Sequence, residues 1–371
     1  MRASWRWRFV DAFSPAVHGM TFGAWLSLLR NEHFSLDAPY WLRAVATTCQ
    51  SALNTPMALW ETKRYGAILQ DVEVPPPVFI IGHWRSGTTH LHNLLCQDER
   101  FAYPNLFQAM NPLTFLCTEP FMAKLLTRFT PKQRNLDNVA QSLDVPAEDE
   151  LIAWHASTLT PYMSYNFPRT GSHYDRYLTF REASEQEREQ WRSSLMHFLK
   201  KLTWKYNRPL VLKSPPHTCR INYLLEMFPG AKFMHIHRHP YRVFLSTRQA
   251  AQRSIDMASF QRADPKALED RIIQQYAEMY DAFFEERRAI PEGQFAEVAF
   301  EALEHDPISH LQRLYLELDL PDFTVAQPAF ESYLKGLSTY TKNDYPDIAP
   351  HLRMRLQKAW AHTFEAWGYT S

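Results

Sequence analysis

Cysteine is scarce in this chain, and the little there is excludes two kinds of protein. Cys49, Cys96, Cys117 and Cys219 are the only four among 371 residues, and neither pairing nor metal-ligand spacing relates them. That argues against a disulfide-stapled scaffold and against a cysteine-held zinc site; small buried side chains in a reducing compartment are the expectation. The 16 histidines form no H-E-x-x-H or comparable cluster, so no metal is expected. His235, His237 and His239 alternate along one run, but Arg238 interrupts them and no third ligand joins the two that share a face. Net charge is missing too: 40 basic and 40 acidic side chains cancel, leaving no global field to draw the chain to nucleic acid. No window of about 18 apolar residues occurs, which excludes a helical membrane span. Asp11 breaks the short apolar stretch behind the basic N-terminus, so no signal peptide is read and a cytoplasmic setting is expected.

What the chain does have is concentrated at residues 77–95. An apolar run, Val78 to Ile81, enters a turn bounded by Gly82 and Gly87 and leaves as a helix rich in Leu and His. A strand feeding a glycine loop that opens a helix holds phosphate well. The helix's first amides lack internal partners, and its dipole favours negative charge. Gly87 permits close backbone approach, Ser86, Thr88 and Thr89 add hydroxyls, and Arg85 adds a planar cation. The nucleoside-triphosphate loop, G-x-x-x-x-G-K-[ST], has its spacing preserved, but Thr88 stands where its lysine belongs. Metal-assisted triphosphate chemistry therefore fits poorly.

A second dense segment covers residues 209–249. Leu210 to Leu212 reads as a short strand ending at Lys213, followed by Ser214, two prolines and His217. A helix through Ile221, Leu224, Leu225 and Phe228 stops at Pro229 and Gly230, and a further strand runs from Lys232 to His237. Arg238 sits at that strand's tip; Pro240 opens the next helix, which carries Ser246 about two turns down. Guanidinium and hydroxyl together suit one more phosphate.

The two segments together resemble the cofactor-binding motifs of sulfotransferases that use 3'-phosphoadenosine 5'-phosphosulfate (PAPS). The resemblance runs through roughly residues 76–320. It implies that Arg85, Ser86, Gly87, Thr88 and Thr89 hold the 5'-phosphosulfate and that Arg238 and Ser246 hold the 3'-phosphate. A weaker match at Val298 to Leu303 is similar to the family's strand-end Tyr-Glu-Asp-Leu box. Phe300 and Ala302 replace its Tyr and Asp, so Glu301 and its neighbours read as architectural.

Short apolar strands separated by helices imply an α/β fold: a central, mainly parallel sheet flanked by helices, of the P-loop nucleotide-binding type. Residues 76–371 read as the catalytic domain. Residues 1–75 show no strand-like alternation and read as an N-terminal helical extension packed on it. Clusters at helical spacing include Trp25, Leu28 and Leu29, then Trp41, Leu42 and Val45, then Leu53, Met57 and Leu59. Arg2, Trp5, Arg6, Trp7, Arg8 and Phe9 permit a peripheral membrane contact, although aromatic packing onto the domain is the preferred reading. Ser184 with Glu187 forms a capping box before a long amphipathic helix, residues 267–288 read as another, and Leu352 to Trp367 as one C-terminal helix.

Sulfuryl transfer needs in-line attack by an acceptor hydroxyl, charge stabilisation and a base. Arg85 is the first candidate to neutralise the sulfuryl oxygens, and the resemblance implies Lys213 as donor to the departing bridging oxygen. For the base, His217 at a helix start is placed first. Glu148 and Glu150, beside Asp149 in an acidic run after Pro146, are the alternatives. A small-molecule kinase with a degenerate phosphate loop is the rival function. The aromatic and methionine-rich stretch over residues 100–180 is where acceptor choice is expected to lie. A partly apolar alcohol or lipid fits there, and a carbohydrate does too.

Overall fold

The computed structural model describes Val17 and residues 19–127, 142–337 and 347–370. The basic aromatic run from Arg2 to Phe9 lies outside the described residues. Four strands form one sheet: β1 (Val78–Ile81), β2 (Val211–Lys213), β3 (Lys232–His237) and β4 (Phe295–Ala299). Their spatial order is β2-β1-β3-β4, and every pairing is parallel. Registers such as Phe79 opposite Leu212 and Phe233 fix which side chains share a face.

Because successive strand residues point to opposite faces, the sheet feeds two cores. Phe79, Ile81, Leu212 and Phe233 pack with Trp191, Leu195 and Phe198 of the Glu185–Tyr206 helix and with Tyr276, Tyr280 and Phe283 of the Pro265–Glu286 helix. Val78, Ile80, Val211, Met234 and Val298 face the other way, onto Leu91, Leu94 and Leu95 of the Thr88–Leu95 helix and Leu311 and Leu314 of the Pro307–Glu317 helix. Strands apolar on both faces belong to a sheet covered on both sides. The fold is α/β, with the Gly82–Gly87 loop and Arg238 at the carboxyl ends of β1 and β3.

Three local readings need correction. The second strand starts and ends one residue later than the apolar run, because Leu210 is drawn into a bridge with Ala102 and Lys213 pairs with Ile80. His217 does not open a helix; it lies in a five-residue 3-10 turn, Pro215–Cys219, that ends before the Ile221–Met227 helix begins. The C-terminal helix is two, Pro350–Ala359 and Ala361–Ala366. Trp360 leaves helical geometry between them, donates its indole N–H to the Ile273 carbonyl at 2.9 Å and stacks 3.8 Å from Tyr276. The burial of one large ring outweighed helix continuity there.

The N-terminal part contributes the Phe22–Asn31 and Trp41–Gln70 helices. The second is held by polar contacts: Arg43 donates to the Ser259 and Asp256 carbonyls, Asn54 to the Met20 carbonyl, and buried Glu61 pairs with buried Lys201. The apolar clusters at Trp41, Val45, Leu53 and Leu59 point outward instead of into the domain. Among the described residues, no helix is long and apolar enough to cross a membrane.

Candidate active site

The loop after β1 is shaped by two glycines. Gly82 has φ +146°, and a Cβ there would lie 2.3 Å from the Ile236 carbonyl oxygen. Gly87 has φ +110°, and its Cβ would lie 2.4 Å from the Phe300 ring. Any side chain at either position would push the loop off β3 or off the helix that follows β4. Between them Arg85 holds φ +68°, a left-handed conformation costing of order 1 kcal/mol for a non-glycine residue and one that gathers at ligand-binding turns. The loop is pinned from behind: the Gly82 amide donates to Thr218 Oγ1 at 2.7 Å and the His83 amide to the Tyr280 hydroxyl at 3.3 Å. Burial holds the His83 imidazole down at about 4, hence neutral near pH 7. The Thr88–Leu95 helix then begins at Gly87, so the amides of Gly87, Thr88 and Thr89 open it without intrahelical acceptors. Ser86 Oγ is buried with no protein partner.

The segment around Arg238 and Ser246 meets the Gly82–Gly87 loop. Arg85 donates through Nε to Ser246 Oγ at 2.8 Å, joining the loop to the Pro240–Ala258 helix. Arg238, at the tip of β3, lies with its guanidinium 4.1 Å from the centre of the Phe300 ring. Phe300 thus touches both motifs, from below Gly87 and from beside Arg238. Glu301 accepts from the His239 amide at 3.1 Å and from the Tyr369 hydroxyl at 3.0 Å, tying the β3 exit to the C-terminus.

A third group of side chains comes from the segment before residue 151. Its three consecutive acids each take a different base from the stretch that begins at the last residue of β2. Glu148 pairs with Lys213 Nζ at 2.6 Å, Asp149 with His217 Nε2 at 2.5 Å, and Glu150 with Arg220 through two bonds of 2.7 and 3.0 Å. Only the first of these pairs is open. Glu148 retains 22% side-chain exposure, whereas Asp149, Glu150, His217 and Arg220 are sealed at 1% or less. Burial pushes the Asp149 carboxyl up, but the His217 charge and the His217 and Ser214 hydrogen bonds outweigh it and leave it below the usual range. Arg220 also donates to the Leu178 and Tyr177 carbonyls and lies between the Phe180 and Trp191 rings.

Lys213 Nζ also reaches Thr89 Oγ1 at 3.5 Å, and Glu148 accepts from the Tyr162 hydroxyl at 2.5 Å through its other oxygen. Trp84 in turn donates to that hydroxyl at 2.8 Å. Burial and the Glu148 charge push the Tyr162 phenol well up, so it stays protonated and donates. The result is a continuous polar chain from the anion loop through Lys213 and Glu148 to an aromatic wall of Tyr162, Trp154 and Tyr165. Arg85, Ser86, Gly87, Thr88, Thr89, Lys213, Arg238, Ser246 and Glu148 therefore sit around one end of the sheet. His217 and Glu150 stand behind them in buried pairs. Trp84, Tyr162, Asp149 and Arg220 went unassigned in the sequence reading. The only trace of the last two is the match between three adjacent acids and the basic residues at 213, 217 and 220.

A family model described as the sulfotransferase family matches residues 76–324. The chain is 33% identical over 365 residues to the omega-hydroxy-beta-dihydromenaquinone-9 sulfotransferase Stf3 of Mycobacterium tuberculosis (strain CDC 1551 / Oshkosh), covering 98% of this chain and 93% of that one. The same figures relate it to Stf3 of Mycobacterium bovis. The fold is shared with sulfotransferase STF9 from Mycobacterium avium at a TM-score of 0.70 and 19% identity, over 99% of this chain and 97% of that one. Sulfotransferase STF1 from Mycobacterium tuberculosis H37Rv gives 0.61 and 16%, over 97% and 99%. This chain belongs to the sulfotransferase family. It is a transferase that moves a sulfuryl group, and the kinase alternative is set aside.

Proposed function

We propose that the enzyme takes the sulfuryl group from PAPS and places it on the hydroxyl of a long apolar alcohol, with Glu148 as base. The observation that carries this reading is the Lys213–Glu148 pair at 2.6 Å, set between the anion loop and an aromatic wall. The amides and hydroxyls from Ser86 to Thr89, with Arg85, bind the 5'-phosphosulfate; Arg238 and Ser246 bind the 3'-phosphate. Glu148 Oε accepts the acceptor's proton as its oxygen forms the new S–O bond. The bond from sulfur to the bridging phosphate oxygen breaks, and Lys213 Nζ donates to that oxygen, releasing adenosine 3',5'-bisphosphate. Arg85 lies against the three sulfuryl oxygens, whose charge it offsets. The buried His217 and Glu150 position the acidic segment and do not touch substrate. Support for an apolar acceptor comes from the aromatic wall beside Glu148 and from the omega-hydroxy-beta-dihydromenaquinone-9 in the name of the 33% identical relatives. No metal enters this scheme.

Incubation with sulfur-labelled donor and a panel of a polyprenyl alcohol, a phenol and a sugar tests the acceptor class. Label is expected on the prenyl alcohol; label on the sugar alone would sink the reading. The donor assignment is tested by calorimetry on Arg238→Ala. Losing one charge-assisted contact is expected to weaken adenosine 3',5'-bisphosphate binding by about 10–100-fold. Adenosine 5'-phosphosulfate, which lacks the 3'-phosphate, should bind both proteins alike. Equal losses for the two ligands would move Arg238 away from the 3'-phosphate.

A further inference from the structure

The Trp41–Gln70 helix is amphipathic in reverse. Its buried positions include Arg43, Thr47, Ser51, Asn54 and Glu61, while Trp41, Val45, Leu53, Leu59, Trp60 and Ile68 are 47–68% exposed. From Trp41 to Trp60 no exposed position carries a charge, hydroxyl or amide. The helix cannot roll to hide this stripe. Its inner face is fastened through Arg43 to the Ser259 and Asp256 carbonyls, through Asn54 to the Met20 carbonyl, and through Glu61 to Lys201 and the Cys117 amide. Turning it would strand the buried Glu61–Lys201 ion pair and leave Arg43 and Asn54 without the carbonyls they donate to.

The patch does not end with this helix. The neighbouring Phe115–Thr127 helix adds Phe121 and Leu125, both more than half exposed. Trp204 is also exposed and packs edge-on to Tyr65 at 5.0 Å. Singly scattered apolar residues are normal on a surface, but this many exposed apolar side chains on one helix and its two neighbours mark a contact site.

Its dimensions and charge select the partner. Trp41 and Trp60 lie 19 residues apart, about 28 Å along the axis at 1.5 Å per residue. That is the length of a helix lying flat, and far longer than a pocket for one side chain. The only exposed charges on the helix are Lys63 and Arg64, both positive, because its one acid, Glu61, is buried. Tryptophans at either end of an uncharged stripe, with cations at its margin, match the headgroup boundary of an anionic bilayer.

We propose that the outer face of Trp41–Gln70, continued by Phe121 and Leu125, docks the enzyme flat on an anionic phospholipid surface. The surface argument stands without the acceptor, although a bilayer-resident alcohol, if the reading above holds, would then be met where it dissolves.

The test is sedimentation of the full-length protein with vesicles of phosphatidylglycerol and phosphatidylcholine, with no donor or acceptor present. Failure here is thereby separate from failure of the acceptor panel. The parent protein is expected to pellet with mixed vesicles. Val45→Asp with Leu53→Asp and Leu59→Asp should cut the vesicle partition coefficient about tenfold or more. Lys63→Gln with Arg64→Gln should weaken binding to the mixed vesicles by about tenfold or more and leave pure phosphatidylcholine binding unchanged. All five positions are exposed, so circular dichroism and calorimetric binding of adenosine 3',5'-bisphosphate should match the parent and show that the variants fold. Equal pelleting of parent and triple variant overturns the proposal, as does a parent that stays in the supernatant. Light scattering that reveals a dimer, dissolved by the triple variant without any vesicle binding, overturns it in favour of a second copy of this chain.

Discussion

Glu148→Gln is expected to lower kcat by about 100- to 10,000-fold, the range for losing a positioned base. Donor affinity should be unchanged. Glutamine has the same shape, and its carbonyl oxygen can still accept from Lys213 while its amide nitrogen gives up the Tyr162 contact, so the loop and Lys213 keep their places. What disappears is the acceptor for the hydroxyl proton. The Glu148 carboxylate has one oxygen on Lys213 at 2.6 Å and the other on Tyr162 at 2.5 Å, and it alone of the three acids keeps solvent access. A substrate hydroxyl entering along the aromatic wall therefore reaches Glu148 before it can reach the other two. Single-turnover transfer of labelled sulfuryl group, with donor binding measured separately by calorimetry, isolates the step. A loss below tenfold would remove Glu148 from the role.

Much of the fold was legible because it rests on short-range patterns. Val78 to Ile81 and Lys232 to His237 are strands at the limits their apolar runs set, and Ser184 caps its helix through Glu187 as its spacing requires. The anion loop was legible for the same reason, since glycine, hydroxyl and cation lie within a few residues. The acid–base clasp was not. Glu148 and Lys213 are 65 positions apart, and nothing local says that three acids meet three bases in the same order. His217 reads as a base at a helix start; its burial against Asp149 is a tertiary fact. The outward stripe misled for a related reason. Periodicity reports that a helix has an apolar face, but only the inward polar contacts of Arg43, Asn54 and Glu61 decide which face turns in.

Arg220→Met is expected to destabilise the protein by about 3–5 kcal/mol, the cost of breaking a buried ion pair from one side. Against a total of about 5–15 kcal/mol for a folded domain, that is a large share of the whole margin. Arg220 has no solvent exposure, holds both oxygens of Glu150 and donates to the Leu178 and Tyr177 carbonyls. Methionine can refill the slot between Phe180 and Trp191 but leaves the Glu150 carboxylate buried with its cation gone. Adding Glu150→Gln to Arg220→Met removes that charge and should recover part of the loss, although both carbonyls still lose the Arg220 donor. Urea unfolding of the parent, the single and the double variant measures both differences. A single-variant cost under about 1 kcal/mol would mean that water reaches Glu150 and that the pair is not the anchor of the acidic segment. If the anchor holds as described, the double variant should fold yet turn over slowly. Glu148 is two residues from the altered position, and a displacement of about 1 Å at the base is enough to cost about 100-fold in rate.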